Sequence, residues 1–148
     1  MPYFSIIVPV YNRLDEVRDL LESLSKQSDK DFEMVLVEDG SSLPCVGAVK
    51  EFEHLVDVKY FFKENEGRSI ARNYGLERAK GSYFLFFDSD CVIPEQYIST
   101  LKTALEKERH IISEPGWNRM YLERCFVKSA ERQASLRFHL RSRKMWKQ

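Results

Sequence analysis

Four short apolar runs alternate with four segments of helical periodicity, and this alternation restricts the possible folds more than any other feature. Residues 3–11 (YFSIIVPVY), 32–40 (FEMVLVEDG), 56–63 (VDVKYFFK) and the run YFLFF from Tyr83 are rich in β-branched and aromatic side chains. Each is too short for a core helix and has the apolar continuity of a strand covered on both faces. Between the first two, LDEVRDLLESLSKQ carries Leu14, Val17, Leu20, Leu21 and Leu24 at helical spacing. Asn12 is the expected N-cap there, with Asp15 and Glu16 at the positive helix end. PCVGAVKEFEHL reads as a weaker helix opening at Pro44. GRSIARNYGLERAKG reads as a helix that is apolar at Ile70, Tyr74 and Leu76 and stops at Gly81. A last helix is expected from about Glu95 to Lys107. The order β-α-β-α-β-α-β-α predicts an α/β domain with a mainly parallel sheet and flanking helices.

A parallel sheet collects its strand ends at one edge, where ligands bind in open α/β folds. Here those ends carry Tyr11-Asn12, Glu38-Asp39-Gly40 and Asp88-Ser89-Asp90. The last group follows directly on the apolar run YFLFF. Two aspartates one residue apart in a turn can aim at one locus, or can merely bond their own backbone. Their place beside two other polar strand ends favours a ligand cleft. No G-x-G-x-x-G follows the first strand and no Walker lysine loop is present, which disfavours a dehydrogenase or an ordinary ATPase.

A chain of 148 residues with 43% hydrophobic and 13% aromatic content can bury a real core in one domain. Its formal net charge is zero, which gives no support for nucleic-acid binding. The charges are unevenly spread. Residues 113–148 hold 9 Lys and Arg against 3 acids, none of them Asp, whereas residues 1–112 hold 14 against 20. Cys45, Cys91 and Cys125 show neither metal nor disulfide spacing and read as reduced thiols. The amino terminus lacks a basic n-region and a long apolar core, and no run approaches the roughly 20 apolar residues of a membrane span. The expected location is therefore cytoplasmic, at most peripheral to the inner face of a membrane through the basic tail. His54, His110 and His139 fit no motif, and Trp117 and Trp146 in the basic segment read as packing residues or surface anchors.

SIIVPVYN, VLVEDGSS, NEGRSIARNYGLERAKGSYFLFFDSD and VIP stand in an order and spacing that resemble the family 2 glycosyltransferases over residues 3 to about 107. The resemblance implies a GT-A, Rossmann-like nucleotide-diphospho-sugar transferase domain that acts with inversion. It also implies a donor nucleotide sugar, a UDP-sugar first of all, and a divalent cation, Mn²⁺ or Mg²⁺, which suits hard oxygen donors. Carried over from the family's D-x-D, Asp90 is the direct metal ligand, while Asp88 faces the ribose and the metal's water shell, with Ser89 between them. Asp39 accepts an N–H of the base, since a carboxylate can only accept. Glu38 helps hold the loop. Tyr11 stacks on the base, and Pro9, Val10 and Asn12 shape the nucleoside pocket. Gly67, Arg68, Arg72 and Asn73 belong to the N-x-G-x-x-x-A-R-N stretch, in which either arginine can pair with phosphate oxygens. Gly75 allows close helix–sheet contact.

The same resemblance implies an acceptor half and a catalytic carboxylate, and no residue matches that base. The expected division is an incomplete donor-binding domain over 1–112 and a basic tail over 113–148 outside the family pattern, from truncation, a frame change or a genuine short variant. Leu122, Phe126, Ala130, Gln133 and Leu136 give that tail a partial helical stripe. The acceptor of a complete enzyme would be a glycan or lipid-linked hydroxyl, as in polysaccharide biosynthesis, and the chain by itself is expected to transfer little or nothing. Two other functions share the architecture. One is a binding module that holds a nucleotide diphosphate and a metal without turnover. The other is a nucleotidyltransferase, which normally has a Gly-rich basic loop where this chain has PVYNRLDE.

Overall fold

The computed structural model describes residues 1–108 together with the strands at 120–123 and 140–142. Strands β1 (Phe4–Val10), β2 (Phe32–Asp39), β3 (Val58–Lys63) and β4 (Tyr83–Phe86) alternate with helices α1 (Leu14–Ser25), α2 (Val46–Phe52), α3 (Arg68–Arg78) and α4 (Tyr97–Glu108). Strands β5 (Met120–Glu123) and β6 (Leu140–Ser142) complete a sheet of order β3-β2-β1-β4-β5-β6. Strands β1 to β5 are parallel to their neighbours, and β6 runs antiparallel to β5. The alternating runs thus form the parallel α/β sheet that the sequence predicts.

Each central strand is buried on both faces, so its side chains divide by parity between two cores. Phe4, Ile6, Val8, Val10, Met34, Leu36 and Leu85 point to one face. There they meet Val17, Leu20, Leu21 and Leu24 of α1, Ala48 and Val49 of α2, and Ile98, Leu101 and Leu105 of α4. Ile7, Val35, Val37 and Phe84 point to the other face and meet α3. Side chains on this scale contribute about 1.5–3 kcal/mol each when fully buried, so the two cores stabilise the sheet that positions its strand ends.

Three local expectations are corrected. First, α3 does not bury Ile70, which is 46% exposed; its buried residues are Ala71 and Gly75. A Cβ on Gly75 would lie 2.8 Å from Cγ2 of Ile7 and 3.0 Å from Cγ2 of Val37. The helix therefore rests on the sheet through small residues, while Tyr74 and Leu76 only flank the contact. Second, the residue capping α1 is Arg13, with no side-chain cap bond. Asn12 instead takes a left-handed conformation (φ 51°), which asparagine tolerates, and its Oδ1 accepts from the Ser42 N–H at 2.8 Å. Third, Leu122 lies in strand β5 opposite Leu85 rather than in a tail helix. The free edge of β4 offers backbone groups that a fifth strand satisfies. Phe126, Ala130, Gln133 and Leu136 lie outside the described residues, as do Cys125, His110, His139, Trp117 and Trp146. Cys45 and Cys91 are free thiols.

Candidate functional site

The chain leaves β1 toward β2 and β3 on one side, then returns through α3 to place β4 on the other side of β1. This reversal opens a crevice at the carboxyl ends of β1 and β4, the usual ligand position in open α/β sheets. A cleft of about 240 Å³ lies there, lined by Pro9, Val10, Tyr11, Arg13, Asp39, Arg68, Asp88, Ser89 and Asp90. Eight of these nine are residues that sequence reasoning assigned to the site. Arg13 is the ninth and was missed, because it matches no motif and joins the wall only through the turn that leads into α1. Four expected residues do not line the cleft: Asn12, Glu38, Arg72 and Asn73.

Asp39 is 3% exposed. Its Oδ1 accepts from Lys63 Nζ and from the Glu66 N–H, both at 3.0 Å, and its Oδ2 accepts from the Gly67 N–H at 2.8 Å. Asp39 therefore pins the loop that opens α3. Burial raises its carboxyl pKa, but the Glu66 N–H, the Lys63 ammonium and the Gly67 N–H together outweigh burial and hold it below the usual value. A carboxylate offers about four lone-pair sites, and three are taken here, so one acceptor site remains for a ligand in the cleft. Lys63 also pairs with Glu66 at 2.6 Å, which is the main reason its own pKa is raised.

Glu38 is fully buried on the opposite face of β2. Its Oε2 accepts from the Cys45 N–H at 2.8 Å and from the Tyr60 hydroxyl at 2.5 Å. Burial first, and then the Glu38 charge, push the Cys45 thiol up to about 12 and raise the Tyr60 phenol likewise. Both groups stay protonated at neutral pH, so Tyr60 remains a donor to Glu38. Glu38 thus ties β2 and β3 to the segment leading into α2. Asn12 makes a parallel tie, its N–H donating to Ser41 Oγ at 2.8 Å.

The segment that follows the Asp88-Ser89-Asp90 turn is tied to α1 and to Gln27 just beyond it. The Ile93 N–H donates to Ser23 Oγ at 3.1 Å. Gln27 donates to the Pro94 carbonyl at 2.7 Å and accepts from the Ile98 N–H at 3.2 Å. Within the turn the two aspartates differ. Asp88 Oδ1 accepts from Arg72 Nη2 at 2.8 Å and lies 3.6 Å from Arg68 Nη1. Asp90 accepts no hydrogen bond and joins no ion pair among the described residues; Arg13, paired with Glu16 at 2.8 Å, feels its charge. No third His, Cys, Asp or Glu joins the two aspartates into a metal cluster among the described residues. Two hard oxygen donors fit Mg²⁺ or Mn²⁺, which keep water and take substrate phosphates to fill their coordination. Among the described residues no helix is long and apolar enough to cross a membrane.

Residues 5–144 match the sequence profile described as Glycosyl transferase family 2, so the match continues across the basic segment that the motifs alone do not reach. The chain is 41% identical over 98 residues to glycosyltransferase GlyA of Streptococcus pneumoniae, covering 66% of this chain and 14% of GlyA. Among solved structures, TarS of S. aureus in complex with UDP superposes with a TM-score of 0.69 at 32% identity, covering 74% of this chain and 33% of that one. A mannosyltransferase from Pyrobaculum calidifontis, in complex with GDP-Man and Mn²⁺, shares the fold at 24% identity and a TM-score of 0.62. It covers 77% of this chain and 33% of its own. The chain thus spans between about a seventh and a third of the length of these three proteins. With the GT-A architecture, the cleft at the β1/β4 crevice and a profile match over nearly all its length, the chain belongs to glycosyltransferase family 2.

Proposed function

We propose that the cleft binds a nucleotide diphosphate sugar, a UDP-sugar by preference, together with Mn²⁺ or Mg²⁺, and serves sugar transfer with inversion to a glycan or lipid-linked hydroxyl. The observation that carries this reading is the convergence of Tyr11, Asp39, Arg68, Asp88 and Asp90 on one cleft from three strand ends and the start of α3. Relatives support the ligand class, since TarS is known in complexes with UDP and UDP-GlcNAc.

Each side chain then has a physical task. Tyr11, 53% exposed at the cleft, offers a ring face to the base. The remaining acceptor site of Asp39 selects a base edge that presents an N–H, as uracil does. Asp88 and Asp90 would hold the cation, which would supply positive charge against the departing diphosphate. Arg68, and Arg72 behind it, supply guanidinium donors for phosphate oxygens. In the transfer itself an acceptor hydroxyl attacks the anomeric carbon in line as the diphosphate leaves, and a carboxylate takes the hydroxyl proton. No described residue is assigned that last role.

Calorimetric titration with UDP tests the reading. Mn²⁺ is expected to raise the affinity about tenfold or more, with Asp90→Ala removing that gain. The same substitution changes stability by no more than about 0.5 kcal/mol, as expected of an exposed side chain without partners among the described residues. Equal affinity with and without Mn²⁺ would remove the metal from the account, and a large fall in melting temperature for Asp90→Ala would make Asp90 a structural residue.

A further inference from the structure

Among the described residues, Asp88 is the one carboxylate at the cleft rim that two arginines address. Arg72 donates to its Oδ1 at 2.8 Å and Arg68 stands 3.6 Å from the same atom. The pairing does not exhaust Arg72, whose Nε is buried with no partner among the described residues. Asp90, two residues on, has no cation bonded to it among the described residues, and Asp39 is neutralised by Lys63 at 3.0 Å. Arg68 of the cleft wall and Arg72 behind it are thus both directed at Asp88, while Arg13 of the same wall is paired with Glu16.

Resting on the function proposed above, we propose that Asp88 is an internal stand-in for the diphosphate. Arg68 and Arg72 exchange from Asp88 to the incoming phosphates, and this exchange frees Asp88 for the cation. Charge alone makes the two ligands interdependent. A divalent cation that arrives by itself meets one guanidinium bonded to Asp88, Arg72 at 2.8 Å, and a second, Arg68, 3.6 Å from the same oxygen. A diphosphate that arrives by itself meets two carboxylates and arginines that are already engaged. Arriving together, each ligand takes the partner that the other sets free. Binding free energies couple reciprocally, so each ligand strengthens the other by the same factor. Arg68 and Arg72 thus bind the phosphates directly and act on the cation site through Asp88.

Two substitutions with opposite ligands test the exchange in the full chain, each read by binding rather than turnover. Mn²⁺ alone is titrated by the electron paramagnetic resonance signal of the free ion. Arg72→Ala is expected to raise the affinity for Mn²⁺ alone about fivefold, the size of a partly exposed ion pair. Arg18→Ala, which removes an equal charge paired to Glu51 away from the cleft, is expected to leave it within about twofold. UDP alone, with chelator present, is titrated by calorimetry. Asp88→Asn is expected to strengthen that binding about fivefold, and Asp90→Asn less, because only Asp88 restrains the arginines. Wild-type binding of UDP with Mn²⁺, combined with no response to Arg72→Ala or to Asp88→Asn, would overturn the exchange while leaving the proposed function standing. Loss of UDP binding by the wild type under all metal conditions would overturn both.

Discussion

Asp39→Ala lowers stability by about 3 kcal/mol and removes UDP binding at the same time. The carboxylate is 3% exposed and serves three donors: Lys63, the Glu66 N–H and the Gly67 N–H. Its loss leaves two backbone donors and an ammonium short of a partner, and an unmet buried group costs about 1–3 kcal/mol. Lys63 retains Glu66 at 2.6 Å, which keeps the total below that of a fully broken buried pair. The melting temperature should fall by about 10 °C for a chain of this size. The same loop carries Arg68 at the opening of α3, so the cleft wall loosens as the fold weakens.

The Asp39 carboxyl also sets a pH signature. Its folded pKa is depressed, so the stability it contributes is full above the unfolded value near 3.8 and is lost as pH falls through the lower folded value. Asp31, depressed chiefly by its bond from Lys102, adds to the same acid-side decline. Asp39→Asn removes the charge and turns one oxygen into a donor facing the Gly67 N–H. Urea unfolding from pH 5 downward is expected to show a shallower loss of stability in Asp39→Asn than in the wild type, from a lower starting value. An identical slope in both would mean that Asp39 gains nothing from its partners.

Gly81→Ala is the second large effect, and it acts on the opposite end of the sheet. A Cβ at Gly81 would lie 2.6 Å from the Ser5 nitrogen and 2.7 Å from the Phe4 carbonyl carbon, both backbone atoms of β1. Backbone inside a parallel ladder yields far less than a side-chain tip. The Gly81 N–H donates to Ser5 Oγ at 2.7 Å, and Ser5 donates to the buried Glu33 at 2.6 Å. Glu33 also accepts the Lys80 N–H at 2.6 Å. Pushing this segment away from β1 disturbs the Gly81–Ser5 bond and the two bonds to the Glu33 carboxylate, which is 1% exposed. The expected cost is about 3 kcal/mol or more, combining overpacking with unmet hydrogen bonds. Gly47→Ala is the matched comparison: nothing lies within 4 Å of its Cβ, and it stands in α2. That substitution should stabilise by about 0.5–1 kcal/mol. Urea denaturation of the two variants gives both values, and a neutral Gly81→Ala would contradict the close β1–β4 approach.

These two sites also mark how far the sequence could be read. Ser5 and Gly81 are 76 residues apart, and nothing local announces that one approaches the other. What local chemistry does announce is the strand itself, since Ile6, Ile7, Val8, Val35, Leu36 and Val37 suit only a doubly covered strand. The carboxyl-end residues followed from the same logic, because a parallel sheet brings Tyr11, Asp39 and Asp88 to one edge whatever the details. Pairing among those residues was not legible. Asp39 was expected to face a base and does line the cleft, yet it also clamps the loop from Lys63 to Gly67. Arg72 was expected at phosphate and is held by Asp88, 16 residues away. The helix stripe of α3 was misjudged because Ile70 looks like a core residue, whereas close packing against Ile7 and Val37 demanded Ala71 and Gly75. In β5, the open edge of β4 decided the conformation of Leu122, and an edge is a property of the sheet rather than of the segment.

Amide chemical-shift mapping of the ¹⁵N-labelled chain, titrated with UDP in the presence of Mg²⁺, tests the central claim most directly. The account predicts that the perturbed amides cluster at residues 10–13, 39–41, 67–72 and 88–91, the four segments that meet at the β1/β4 crevice. Shifts confined to the opposite edge, around Tyr3, Asp31 and Lys102, or no shifts at saturating UDP, would contradict it.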